Sequence, residues 1–428
     1  MSITKTSKRT RATGRIDDNQ QDKPTIKRAI DRYLSDINAL EFAYPLTIGA
    51  IDASSETYTK AFAKSLAADT DPSDLKKFVR AITRMAKVTK DEADESKAKK
   101  RGKAKSFSIP LKGKDEHLLE NVKNLSKVGD ARQLVSRSFV VTLVSQFDAY
   151  IAGLVRALHE IRPDILNLHA KTISYSDIVE LGDVASVEER LIENEIDSLL
   201  RSSHSDQFKW LESKLEMRLK EVDSKWAAFI ELTERRNLFV HANARVSSQY
   251  LRVCKNNKVA LPLDCRIGST LPVSNEYFSA SYSLLAEIGV KLGIILWRKA
   301  AASEQPEADS HLIEVTLNLI KSGKYALARS ILEDFLFSIP AGDRTESTKR
   351  TMIINLAQSM KWLGQEEDCE KLLKRFDWSA TSPLFNLAIA VLKDDFAVAK
   401  KFSENLASRR RNQKEPNRIV ATVQKVSR

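Results

Sequence analysis

Glycine and proline are scarce, 13 and 11 in a chain of 428 residues. With so few chain breakers, apolar residues at three-to-four spacing and little strand-like alternation, the chain reads as all-α. Cysteine is scarcer still: Cys254, Cys265 and Cys369, none of them as C-x-x-C. An odd count without that spacing argues against a disulfide framework and fits a reducing cytoplasm. His117, His159, His169, His204 and His311 are scattered, and no pair has zinc-ligand spacing with cysteine. Neither G-x-G-x-x-G nor G-x-S-x-G occurs, and Lys321-Ser322-Gly323-Lys324 lacks the leading glycine of a P-loop. No metal and no cofactor is expected. Long hydrophobic runs are absent too. The most apolar stretch, Ile288 to Trp297, is short for a bilayer and contains Lys291, so it reads as a buried helix and no membrane span is expected. Met1 to Arg15 has no apolar core and so is not a secretory signal; a cytoplasmic protein is expected.

What the chain does carry is positive charge. The formal net charge is +12, which favours a polyanionic partner, most simply nucleic acid; basic tails on an ordinary protein give the same number. Residues 1–24 have the composition of a disordered basic tail, with Lys5, Lys8, Arg9, Arg11 and Arg15 in a stretch without an acid. A helical segment is expected over 25–90, with Ile30, Tyr33, Leu34, Ile37 and Leu40, then Leu75, Phe78, Val79, Ile82 and Met85. Residues 91–116 form a charged linker, with six cations between Lys97 and Lys105 that either touch RNA phosphates or are simply solvated.

The central domain is placed at 117–300. Its first helix runs through Val140, Leu143, Phe147, Tyr150 and Leu158 to Pro163. A second starts at a capping box, Ser186 to Glu189; a third spans Phe208 to Leu219. A fourth begins near Asp223 with Trp226, Phe229, Ile230 and Thr233 inward. A loop with Pro262 and Pro272, and a short hairpin, precede a last helix over 275–299. Residues 308–405 suggest helical hairpins with turns at Ser322-Gly323-Lys324-Tyr325, Leu363-Gly364-Gln365-Glu366 and Lys393-Asp394-Asp395-Phe396. Either loose tetratricopeptide-like packing or a plain bundle accommodates them, and the region offers a surface for a protein partner. Residues 406–428, with Arg409, Arg410 and Arg411, read as a second basic tail.

The fourth helix ends on Arg236-Asn237-Leu238-Phe239-Val240-His241. A guanidinium matches phosphate oxygens, an imidazole takes or gives a proton near neutrality, and RNA carries its own nucleophile in the 2′-OH. Asn237 and His241 are i and i+4 and share a face, whereas Arg236 and His241 stand about 140° apart on an ideal helix. Either the motif lies at a fraying helix end, or two copies face each other in a homodimer. The alternative is structural: His241 satisfied in a core and Arg236 paired with Glu231 or Glu234.

The stretch Glu234 to Asn243, Arg-x-x-x-x-His with asparagine after the arginine, resembles the active-site helix of HEPN ribonucleases. Phe147-Asp148-Ala149-Tyr150 and Leu199 to Leu211 resemble the preceding helices, so the resemblance covers about 130–300. It implies a dimeric helical bundle cleaving RNA without a metal, in a toxin-antitoxin or phage-defence setting of a bacterium. It also implies Arg236, Asn237 and His241 as the catalytic set. Arg235, Arg201 and His204 are the expected substrate-binding side chains. Where some HEPN toxins carry a modifiable tyrosine two residues after the histidine, this chain has Asn243. Other members of the family are inactive and serve as scaffolds that bind RNA or a protein.

Overall fold

The computed structural model describes residues 25–69, 116–217, 219, 225–379 and 381–412. All of its named elements are helices, and a single antiparallel bridge joins Arg245 to Thr270 among the described residues. Leu75 to Met85, the cations from Lys97 to Lys105, Asp223 and residues 413–428 lie outside the described residues.

Two long helices open the chain, α1 over Ile26–Asp69 and α2 over Glu116–Ile161. Shorter helices follow: α3 over Tyr175–Leu181, α4 over Val184–Arg201, α5 over His204–Leu215, α6 over Trp226–His241 and α7 over Ser248–Asn256. The central α8 spans Asn275–Ala300. Beyond it come α9 over Gln305–Lys321, α10 over Tyr325–Glu333, α11 over Glu346–Trp362, α12 over Glu366–Lys374, α13 over Pro383–Leu392 and α14 over Phe396–Asn412. The three turns expected between helix pairs fall between α9 and α10, α11 and α12, and α13 and α14.

Four local expectations need correction. The cap of α4 is Asp183, not Ser186; Asp183 accepts from the Ser186 backbone N–H at 2.9 Å and from its hydroxyl at 2.7 Å. The next helix starts earlier, because Ser203 caps it and makes His204 its first residue, and it stops at Leu215. Residues 242–274 hold a helix, α7, capped by Ser247, rather than a hairpin. The last helix continues through Asn412, so 406–412 belong to it and not to a tail.

A single hydrophobic cluster runs from Ile26 in α1 to Ile389 in α13, across the expected boundary at 300–308. Its centre is α8, whose side chains are buried almost without break from Leu285 to Arg298. Burial on all sides requires neighbours to come close, and two glycines allow it. A Cβ at Gly289 would stand 2.3 Å from Tyr33, and one at Gly293 would stand 2.2 Å from the Tyr150 hydroxyl and 2.6 Å from Ile30. Tyr33 donates to the Leu285 carbonyl and Tyr150 to the Gly289 carbonyl, each at 2.9 Å. Their rings stack with centroids 4.4 Å apart, so α1 and α2 share one seam on α8.

The polar side of α8 is built around Glu287. It accepts from Lys291 at 2.5 Å, from Ser330 on α10 at 2.7 Å and, in a short contact, from Lys225 just before α6. Burial alone would raise the Glu287 carboxyl, but the lysine hydrogen bonds hold it below the ordinary range. Part of α2, Lys123–Ile161, and the whole of α8 are long and apolar enough to cross a membrane. In the apolar window of α8, 78% of the residues are buried inside the protein, and the helix carries the Glu287–Lys291 pair.

The seam gives a stability prediction. Gly293→Ala should cost about 1–3 kcal/mol from overpacking. Gly49→Ala, with nothing within 4 Å of its added methyl, should gain about 0.5–1 kcal/mol from helix propensity. Urea unfolding of the two variants should move in opposite directions; equal shifts would show that the seam has slack.

Candidate active site

Helix α6 delivers the motif, and the two arginines at its middle serve different neighbours. Arg235 donates to Glu231 at 2.6 Å, and both side chains are 12% exposed. Tyr250 and Tyr277 donate to the same carboxylate at 2.7 and 3.0 Å, and the Arg235 guanidinium lies 4.0 Å above the Tyr277 ring. This knot fastens α6 to α7 and α8. Arg235 is therefore held in packing, and its expected contact with substrate does not fit its surroundings.

Arg236, one position on, points to α2. Its Nη2 donates to Asp148 Oδ2 at 3.3 Å and its Nη1 to Asn237 Oδ1 at 3.3 Å. The pairing with Glu231 or Glu234 considered from sequence does not occur; the partner is 88 residues away in α2. A guanidinium has five N–H groups, so one proton on each Nη is left for another acceptor. The Nε is buried without a hydrogen-bond partner.

Asp148 also holds His204. The His204 Nε2 lies 2.8 Å from Asp148 Oδ1, and the ring packs edge-on against Phe229 with centroids 5.6 Å apart. Local structure explains how His204 arrives there. Ser203 caps α5, and buried Gln207 donates to the carbonyls of Leu200 and Ser202, closing the corner between α4 and α5. Arg201, at the exposed end of α4, stays outside this group, its guanidinium 4.0 Å from Asp197 and 83% exposed.

Asn237 donates to Glu234 at 3.5 Å. Burial raises the Glu234 carboxyl above its ordinary value, against the lowering effects of His204 and of the Asn237 hydrogen bond. The structure thus gathers Asp148, His204, Glu234, Arg236 and Asn237. Asp148 lies in the Phe147 to Tyr150 stretch, to which the resemblance assigns no role in the site.

His241 is the last residue of α6 and is exposed. None of the hydrogen bonds or ion pairs among the described residues joins it to Arg236 or Asn237. Beyond it the chain turns through Asn243 at φ 45° and Ala244 at φ 64°, two left-handed residues that stop the helix. Arg137 on α2 donates to the Asn243 side chain at 3.1 Å. Asp148 meeting Arg236 and Arg137 meeting Asn243 make α2 and α6 antiparallel, with His241 on the Arg137 side. Among the described residues, no group of three or more His, Cys, Asp or Glu is arranged to hold a metal ion.

No protein-family model, curated protein or solved structure matches this chain.

The raised Glu234 carboxyl predicts a pH signature. A folded pKa above the unfolded one means that its contribution is fully present below the unfolded value, near 4.5, and is lost as pH rises through the folded value. Glu234→Gln should therefore gain stability relative to the parent as pH is raised from about 4 to about 8. A thermal-unfolding difference that stays flat over this range would contradict the assignment.

Proposed function

We propose that the chain is a metal-independent endoribonuclease of HEPN type. The observation that carries this reading is the end of α6: an exposed imidazole at His241, with a guanidinium at Arg236 that keeps donor protons spare. The resemblance of Glu234 to Asn243 supplies the family, and the positive net charge agrees with a polyanionic substrate.

In this reading Arg236 binds the scissile phosphate and neutralises charge as it develops. His241 removes the proton from the 2′-OH, and the 2′-oxygen attacks phosphorus. The bond to the 5′-oxygen breaks, and a protonated imidazole supplies that oxygen with its proton. The products are a 2′,3′-cyclic phosphate and a 5′-OH. Asn237, bonded to both Arg236 and Glu234, orients the guanidinium. Because Arg236 and His241 stand about 140° apart on an ideal helix, a homodimer is part of the proposal. Val240 beside His241 and Leu134 one turn before Arg137 are exposed apolar side chains suited to such a contact. A cytoplasmic role in bacterial phage defence or as a toxin, with the C-terminal hairpins engaging a protein partner, belongs to the same reading.

One observation favours the second reading, a non-catalytic scaffold that binds RNA or a protein. Asp148 already occupies the Arg236 guanidinium, and Glu234 stands nearby, so a phosphate must compete with two carboxylates.

The two readings separate in one assay. Purified protein is incubated with single-stranded RNA in EDTA, beside His241→Ala and Asp148→Asn. Catalysis predicts cyclic-phosphate ends and a loss of about 10²–10⁴-fold for His241→Ala, the usual worth of a general base. Asp148→Asn should change cleavage less, while freeing Arg236 for phosphate. Equal RNA binding by all three proteins with no cleavage by any would leave the scaffold.

A further inference from the structure

An open cavity of about 520 Å³ lies where α1 begins, against the junction of α8 and α9 and far along the chain from the α6 motif. Its floor contains Trp297 and His311. The His311 side chain is only 3% exposed, yet neither ring nitrogen has a hydrogen-bond partner. Asp31 Oδ1 lies 3.2 Å from Nε2 and Glu314 Oε2 lies 3.8 Å from Nδ1, without hydrogen-bond geometry. A buried imidazole whose nitrogens make no hydrogen bond is costly unless something else meets it.

The walls are acidic. Glu304, Glu307 and Glu314 line the cavity with Lys27, and Asp31 stands at its edge beside His311. Glu304 and Glu307 sit where a helix dipole favours carboxylates, at the start of α9. Glu314 in the body of α9 and Asp31 on α1 have no such reason. Trp297 offers an aromatic ring beside these acids, and its indole N–H donates to Glu304 at 2.6 Å. Carboxylates around a tryptophan suit an ammonium or guanidinium group.

Such groups lie close by in the sequence. Thr25 lines the cavity and is the first described residue. The 24 residues before it include Lys5, Lys8, Arg9, Arg11 and Arg15, with no acid before Asp17. Ten residue steps lead from Arg15 to Thr25, a reach of up to about 35 Å, ample to return to the cavity. We propose that this acidic cavity is the docking site for the chain's own basic N-terminal segment, residues 2–15. Covalent linkage gives the segment a high effective concentration at the site. Docked there, its cations are withheld from nucleic acid.

Zero-length carbodiimide coupling of the full chain tests this, followed by peptide mapping. The expected products are amide links from Lys5 or Lys8 to Glu304, Glu307 or Glu314. They should vanish in the exposed double variant Glu307→Lys/Glu314→Lys, and weaken at about 1 M salt, where screening acts within about 3 Å. The link between Lys324 and Glu41, a 2.5 Å ion pair elsewhere in the fold, should persist in the variant and report that it is folded. Mixed light and heavy chains place the link within one molecule. Coupling of Lys5 and Lys8 to other carboxylates, no coupling while Lys324–Glu41 forms, or links of mixed isotope would each overturn the proposal.

Discussion

Tyr33 and Tyr150 lie flat against each other and hydrogen-bond to main-chain carbonyls of α8, in space that Gly289 and Gly293 leave open. That approach sets the register of both long helices on the central one. Two residues before Tyr150 on α2 stands Asp148, turned by about 200° along the helix and so facing away from the seam. Its position opposite α5 and α6 follows from the locked tyrosine. On the other flank of α8, Glu287 grips Lys225, the residue that precedes α6. Both helices that carry the candidate site are thus registered against the same central rod, one by a tyrosine hydrogen bond in a close-packed seam and one by charge.

Two carboxylates divide the work around α6. Glu231 takes Arg235 and Tyr250 on one oxygen and Tyr277 on the other. Asp148 takes His204 on one oxygen and Arg236 on the other. The arginines are adjacent in sequence but about 100° apart on the helix, which is enough to give one a packed neighbourhood and the other a half-open one. A desolvated pair such as Arg235–Glu231 is costly to break from one side only, since it strands the other charge. Arg236, with spare donors and more solvent, is the arginine that can exchange partners.

Periodicity made the long helices and the three C-terminal hairpins legible, because glycine or paired aspartates stop one apolar stripe and a new one begins. The helix Ser248–Asn256 was not legible: nine residues with Tyr250 and Cys254 as its buried pair give too short a stripe, and Pro262 and Pro272 dominate the impression of a loop. The displaced cap at α4 has a similar origin, since Asp183 and Ser186 bond to each other and either fits a capping pattern. At the site, Asn237 and Arg236 were readable from local spacing. Asp148 was not, because its partners are 56 and 88 residues away and such pairings leave no mark on local sequence. The packing around Arg235 was not legible for the converse reason. An arginine beside a motif reads as a ligand unless the tyrosines that enclose it, one of them 42 positions downstream, are known to be there.

The stop after α6 explains why guanidinium and imidazole are separate. Asn243 and Ala244 adopt left-handed angles, and a buried alanine there carries a strain of about 1–2 kcal/mol that the surrounding contacts must hold. Arg137 binds Asn243 from α2, and the Ala244 N–H returns to the Leu238 carbonyl. The turn therefore fixes His241 at the helix end, on the surface, while Asp148 draws Arg236 inward more than a turn earlier. On one helix the two groups stand about 140° apart, and α2 holds Arg236 through Asp148. In the proposed reading, a shared phosphate is reached either by release of Arg236 from Asp148 or by the His241 of a second chain arriving from outside. The exposed imidazole and the spare guanidinium protons leave the second route open without disturbing the packing.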